Sequence, residues 1–150
     1  MNSLDHEISR QRRYPGALCL LMLDIDGFTP YNNEFGHVEG DILLKEVAKV
    51  IKGNIREVDI ACRYASDQFV IILPETELSQ AEIVAAKIGG KIEDLRLKRK
   101  ISASVGVVQY LNSLDRYEFI FKADSALNHV KRAKNSAVKK HGHHVSPSRE

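Results

Sequence analysis

Cysteine is scarce in this 150-residue chain, which has only Cys19 and Cys62. Two cysteines exclude a disulfide-dense miniature, and their spacing fits no metal-ligand pattern. Each lies in an apolar run, so both are expected to be buried free thiols, as suits a reducing, cytoplasmic setting. Glycine (9) and proline (4) are too few for a collagen-like repeat. Apolar runs are short: none approaches the roughly 18 residues of a membrane span, so no membrane contact by this domain is expected. The opening MNSLDHEISRQRRY is too charged for a secretory signal and reads as the start of a soluble domain taken from a longer protein. An excess of one charge is also lacking. With 22 Lys+Arg against 20 Asp+Glu the formal net charge is +2, which gives no argument for nucleic acid as a partner.

The rest of the composition is that of an ordinary globular domain, 43% hydrophobic and 28% charged. The length suits a single domain. We place it at residues 1–140, with 141–150 as a C-terminal tail or an edge strand. His141, His143 and His144 fall in that last segment, with no cysteine or carboxylate among them to suggest a metal site. The basic residues are clustered. Lys122, Lys131, Arg132, Lys134, Lys139 and Lys140 follow Phe121 with Asp124 the only acid among them, and Arg96, Lys98, Arg99 and Lys100 form a second group. Such clusters are either solvated helix faces or contacts for a phosphate-bearing small molecule.

The pattern of elements can be read along the chain. Leu4 to Arg13 predicts a short helix closed by Pro15 and Gly16. Ala17 to Leu23 is a continuous apolar run ending at Asp24, the signature of a strand buried on both faces. Phe28 to Phe35 can be helical, with Pro30 tolerated in the first turn. Asp41 opens an amphipathic helix carrying Ile42, Leu43, Val47, Val50 and Ile51, and Gly53-Asn54 offers its stop. Ile60 to Tyr64 and Phe69 to Leu73, joined by Ala65-Ser66-Asp67-Gln68, read as a β-hairpin. Leu78 to Asp94 is a helix with Ser79 as its expected N-cap, and Ile101 to Tyr110 is a strand. A last helix is expected from Asn112 or Ser113 to about Ala133, with an edge strand near His143. Hairpins mixed with crossover helices give an α+β fold with a mainly antiparallel central sheet flanked by helices.

This pattern puts Asp24 and Asp26 at the end of a central strand and Asp67 at the tip of a neighbouring hairpin. Strand-end carboxylates are the usual protein contribution to a magnesium site that substrate phosphates complete, and they are also common as plain solvated groups.

The motifs resemble those of the GGDEF domains, the diguanylate cyclases. Asp24-Ile-Asp-Gly-Phe-Thr-Pro-Tyr-Asn32-Asn-Glu-Phe-Gly36-His37-Val-Glu-Gly40-Asp41 is similar to the family's first signature. Arg63 to Phe69 falls where the family has R-x-G-G-D/E-E-F. Ser104-Val105-Gly106-Val107 resembles its S-x-G-[IV], and Ala123 to Leu127 with Lys131 resembles its closing A-D-x-A-L-Y-x-A-K. The resemblance implies a palm-like fold related to adenylyl cyclases and polymerases. It implies an activity that joins two GTP into cyclic di-GMP with divalent metal, between two domains meeting head to head as a homodimer. By position it implies that Asp24, the Ile25 carbonyl and Asp67 hold Mg2+. It further implies that Asn32 and Asp41 bond guanine and that Lys131 reaches the terminal phosphates.

The chain departs from that pattern at several places. Ala65-Ser66 replaces two glycines, Gln68 replaces a glutamate, Thr29 stands in place of a lysine and Asn135 in place of an arginine. These changes remove close backbone approach, a negative charge and a bidentate phosphate clamp. A second site of the family matches better. Arg56-Glu57-Val58-Asp59 is R-x-x-D, with five residues between it and Ala65, at the offset of the family's inhibitory site for cyclic di-GMP. Lys87 falls where the family often has a third, basic ligand. The bland alternative is a surface ion pair between residues three apart. The expectation is therefore a degenerate GGDEF domain that binds cyclic di-GMP through Arg56, Asp59 and Lys87, beside sensor or effector domains of a larger protein. An active or weakly active cyclase, and a dimerisation or GTP-binding module with both sites idle, remain as alternatives.

Overall fold

The computed structural model describes residues 2–14, 16–111 and 114–145, with side chains described as far as Asn135. Its elements run α1 (Asn2–Arg13), β1 (Leu18–Ile25), α2 (Phe28–Phe35), α3 (His37–Gly53), β2 (Ile60–Ala65), β3 (Gln68–Pro74), α4 (Leu78–Glu93), β4 (Ala103–Gln109) and α5 (Arg116–Val145). The four strands form one sheet in the order β2-β3-β1-β4. Every pairing is antiparallel.

β1 occupies the middle because all eight of its side chains are buried. Its odd residues, Cys19, Leu21, Leu23 and Ile25, pack with Tyr31 of α2, Leu43, Val47 and Ile51 of α3, and Ala81, Ile88 and Ile92 of α4. Its even residues, Leu18, Leu20 and Met22, pack with Leu4 and Ile8 of α1 and Phe119, Ala123 and Leu127 of α5. Each Leu, Ile, Val, Met or Phe among them contributes about 1.5–3 kcal/mol on burial. The period of two therefore assigns Asp24 to the α5 face of the sheet, one step beyond Met22.

Several boundaries differ from the sequence reading. α3 begins at His37, a turn before Asp41. The N-cap of α4 is Glu77, whose N–H donates to Gln80 Oε1 at 3.0 Å; Ser79 lies inside the helix. α5 starts at Arg116 and runs past Ala133 to Val145. Residues 141–145 are thus helical and form no edge strand, while 146–150 lie outside the described residues, as do Asn112 and Ser113. The cysteines part company. Cys19 is buried, donates from Sγ to Thr76 O at 3.2 Å, and burial, helped by Glu77 and Glu82, pushes its thiol up to about 12. Cys62 is exposed, because β2 is the outer strand and its residues from Ala61 to Ala65 are uncovered.

α5 lies close to the sheet because β4 carries Gly106. A Cβ there would meet Leu127 N at 2.3 Å, Ala123 O at 2.6 Å and Leu127 Cα at 2.7 Å. These are backbone atoms and cannot swing aside. Gly106→Ala is expected to destabilise the domain by about 2 kcal/mol or more in urea unfolding. Gly89→Ala on α4, where a Cβ meets nothing within 4 Å, is expected to leave stability unchanged or slightly raised.

Candidate functional sites at the strand ends and the α3–β2 turn

The carboxyl end of β1 opens into a cavity of about 480 Å3. Asp24 and Ile25 enter it from β1, Asp26 from just beyond the strand, Asp67 from the hairpin turn, Ser102 and Ser104 from β4 and its approach, and Lys131, Lys134 and Asn135 from α5. Two backbone bonds hold the rim: Ile25 N–H donates to Asp67 O at 3.1 Å and Asp26 N–H to Ser102 O at 3.0 Å. Gly27, with φ 69°, turns the chain at the N-cap of α2.

Asp24 is buried, with 5% exposure. Its Oδ2 accepts from Lys131 Nζ, and its Oδ1 is buried with no partner. Lys131 sits one turn beyond Leu127, so the helix face that packs on Met22 also delivers this ammonium to the next residue on the same strand face. Asp26 is fully engaged. Ser104 Oγ donates to its Oδ1 at 2.8 Å, and Ser102 Oγ at 2.7 Å and Lys134 Nζ at 2.9 Å donate to its Oδ2. Lys134 also donates to Ala103 O at 2.7 Å. Burial pushes the Asp26 carboxyl upward. The bonds from Ser102, Lys134 and Ser104, with the Lys134 charge, outweigh it and hold the group below the ordinary carboxylate range.

These groups fit a hard cation in part. Asp24 Oδ1 is a carboxylate oxygen without a hydrogen bond, and Asp67 and Ile25 line the same space. Among the described residues no three His, Cys, Asp or Glu side chains converge as a metal cage. A magnesium ion here needs oxygens brought by a ligand, which is its usual habit. Lys131 already neutralises Asp24, so the expected phosphate-binding lysine is engaged with the expected metal ligand. Gln68 pairs with Asp24 across the β1–β3 ladder and does not line the cavity. Asn32 and Asp41 lie outside it too, on α2 and α3; Asn32 is half-buried and Asp41 exposed.

The second constellation lies at the turn from α3 into β2. Arg56, Asp59 and Lys87 share a cavity of about 290 Å3 with Thr76 and Val84. Asp59 is buried and both its oxygens face Arg56: Oδ2 accepts from the backbone N–H at 2.7 Å and from Nε at 3.2 Å, and Oδ1 accepts from Nη2 at 2.8 Å. Nη2 also donates to Pro74 O at 2.5 Å and Thr76 Oγ1 at 2.9 Å. The pair is thus more than a surface bridge. It ties the α3–β2 turn to the β3–α4 turn. It also engages the Nε–Nη2 edge of the guanidinium, leaving Nη1 without a protein acceptor among the described residues.

The family model described as diguanylate cyclase, GGDEF domain, matches residues 1–137. This chain is a GGDEF domain. It is 38% identical over 117 residues to diguanylate cyclase A of Treponema denticola, covering 74% of this chain and 32% of that protein. It is 31% identical over 143 residues to the response regulator PleD of Caulobacter vibrioides, covering 90% of this chain and 32% of that protein. The chain therefore spans about a third of the length of these curated relatives. Among solved structures it is similar to the GGDEF domain of DgcB from Caulobacter crescentus in complex with c-di-GMP. The TM-score is 0.85 at 27% identity, covering 88% of this chain and 82% of that one. It is similar also to the active GGEEF domain of a diguanylate cyclase from Vibrio cholerae, with a TM-score of 0.84 at 25% identity, covering 88% and 87%.

The GGDEF fold thus brings Asp24, Ile25, Asp67 and Lys131 into one cavity and Arg56, Asp59 and Lys87 into another. Sequence reasoning missed Ser102, Lys134 and Thr76. Lys134 stood out only as one of a basic cluster, and nothing local marks a threonine 20 residues from Arg56 as its acceptor.

Because the Asp26 carboxyl is held low when folded, it stabilises the native state above its unfolded value of about 3.9. That contribution falls away as the pH drops from there through the folded value. Asp26→Asn is expected to lower stability at pH 7. The gap between wild type and variant should close as the pH is taken below about 4 in urea titrations.

Proposed function

We propose that this GGDEF domain is a regulatory module that binds cyclic di-GMP through Arg56, Asp59 and Lys87, and makes little or none of it. The observation that carries this reading is the meeting of those three residues in one cavity that no residue of the Ala65–Gln68 turn lines. An arginine fork suits guanine O6 and N7 or a phosphodiester oxygen, and Lys87 adds a point charge. The ligand meets Arg56 at Nη1 first. Contacts to Asp59 require the Arg56–Asp59 pair to open, since the carboxylate is almost wholly buried against Arg56 in the free protein. The DgcB domain, solved with c-di-GMP, shows that a GGDEF fold accommodates this ligand.

Calorimetry with cyclic di-GMP tests the reading. A contact from a charged group is worth about 1.5–3 kcal/mol. Arg56→Ala is expected to weaken binding about tenfold to a hundredfold, and Lys87→Ala less. Asp59→Ala should weaken it too, and should also lower stability because it releases the Arg56 tie. Asp67→Ala should leave the affinity unchanged. If Asp67→Ala abolishes binding while Arg56→Ala does not, the ligand occupies the strand-end cavity and the receptor reading is wrong.

Loss of synthesis rests on the hairpin and α5. Ala65 and Ser66 put side chains on an exposed turn where the family carries glycine, and Asn135 lines the cavity where the family carries arginine. Removing one transition-state donor already costs about two to three decades of rate.

A second reading, a weak cyclase acting as a homodimer, is favoured by the unpartnered Asp24 Oδ1 beside Asp67. In it Asp24, the Ile25 carbonyl and Asp67 would hold magnesium, which supplies positive charge to phosphate oxygens when bound. Lys131 would leave Asp24 for a phosphate, and Asn32 with Asp41 would receive guanine.

Incubation with GTP and magnesium is expected to yield no cyclic di-GMP at an ordinary turnover. Synthesis at about 1 per second or faster would establish the cyclase reading instead. Sensor or effector domains of a larger protein would supply the input or output in either case.

A further inference from the structure

We propose that Gly40 is a positioning residue: the side chain it lacks leaves the slot that seats the Asn32 carboxamide, and this seat sets how the α2–α3 corner discriminates guanine nucleotides. The proposal rests on the reading of Asn32 and Asp41 as guanine-facing residues.

The geometry is unlike that of the other helical glycines whose surroundings are described. A Cβ built on Gly40 would lie 1.7 Å from Asn32 Oδ1, 2.8 Å from Cγ and 3.3 Å from Nδ2. The amide of Asn32 therefore fills the volume that any side chain at position 40 would take. At Gly53, Gly89 and Gly90 a Cβ meets nothing within 4 Å. Gly40 is buried in the first turns of α3, and its φ is not positive, so no backbone strain calls for glycine there.

No hydrogen bond holds the Asn32 oxygen: Oδ1 is buried and has no partner. What fixes the amide is shape, on a backbone that is itself well tied. Gly36 N–H donates to Asn32 O at 2.8 Å and Gly40 N–H to Gly36 O at 3.1 Å, with Gly36 at φ 90° making the corner between the helices. Asp41 follows Gly40 directly, so one helical turn carries both the seat of the amide and the carboxylate beside it.

The displaced atoms at Gly40 are the end of a side chain, whereas those at Gly106 are backbone. Alanine at position 40 is therefore expected to push the Asn32 amide out of its seat without breaking the fold, and its better helix propensity favours the helix. The effect belongs to recognition, not to stability.

The test compares wild type, Gly40→Ala, Asn32→Ala, the double variant and Gly89→Ala. Calorimetry with magnesium-GTP and magnesium-ATP is read beside thermal unfolding and the side-chain amide 15N–1H resonances of Asn32. Gly40→Ala is expected to match Asn32→Ala, weakening GTP about tenfold and leaving ATP unchanged, with no further loss in the double variant. Its Tm should equal or exceed that of wild type, and the Asn32 amide resonances should move in Gly40→Ala and stay in place in Gly89→Ala. If Asn32→Ala weakens GTP and Gly40→Ala does not, the proposal is overturned while the guanine reading stands. If Asn32→Ala leaves GTP binding unaltered, the guanine reading fails and the proposal with it. Unmoved Asn32 resonances in Gly40→Ala overturn it whatever the nucleotide affinities.

Discussion

A strand buried on both faces and paired along both edges can release polar side chains only at its end, and β1 is such a strand. Its backbone is satisfied by β3 on one side and β4 on the other, and its side chains are divided between two helical layers. Asp24 continues the even face toward α5, Ile25 the odd face toward α2 to α4, and Asp26 passes beyond the ladder. The location of the strand-end cavity follows from that alternation. So does the identity of its cations, because α5, packed with α1 on the even face, is the helix that reaches the strand's end. Gly106 lets α5 come down onto β4, and one turn past Leu127 the helix presents Lys131, then Lys134.

Both candidate sites use their charged residues twice. In the cavity, two lysines a turn apart neutralise two aspartates, which binds β1, β4 and α5 at one corner. A cation arriving at Asp24 must compete with a protein ammonium already in place. At the α3–β2 turn, Arg56 bonds Asp59, the Pro74 carbonyl and Thr76, which joins two loops. Such groups stabilise the free protein with side chains that a ligand would also engage. Ligand affinity at either site is thus a difference between two sets of partners.

The same missing atom has two meanings in this fold. At Gly106 the absent Cβ makes room for backbone, and the requirement is structural. At Gly40 it makes room for the Asn32 carboxamide, the end of a side chain. What a glycine does is settled by which atoms stand in the place of its side chain.

Much of this was legible in the chain itself. The apolar run of β1, the polar hairpin turn and the periodicity of α3 and α4 are local patterns, and local patterns determine what kind of element forms. The order and spacing of the motifs from Asp24 to Lys131 marked the GGDEF family, to which the chain belongs. Tertiary structure decided the rest, because the remaining facts depend on neighbours distant in sequence. An apolar run around Cys62 does not reveal that β2 ends up at the sheet edge, where the thiol is exposed. The basic stretch of α5 does not reveal which lysines meet which aspartates more than 100 residues away. R-x-x-D spacing shows that Arg56 and Asp59 can pair, but the acceptors at Pro74 and Thr76 exist only once β3 lies beside β2. Sequence sets the conformation of a segment through its own side chains and period. Contact between segments is set by how the buried faces stack, and that is where the charges of this domain found their partners.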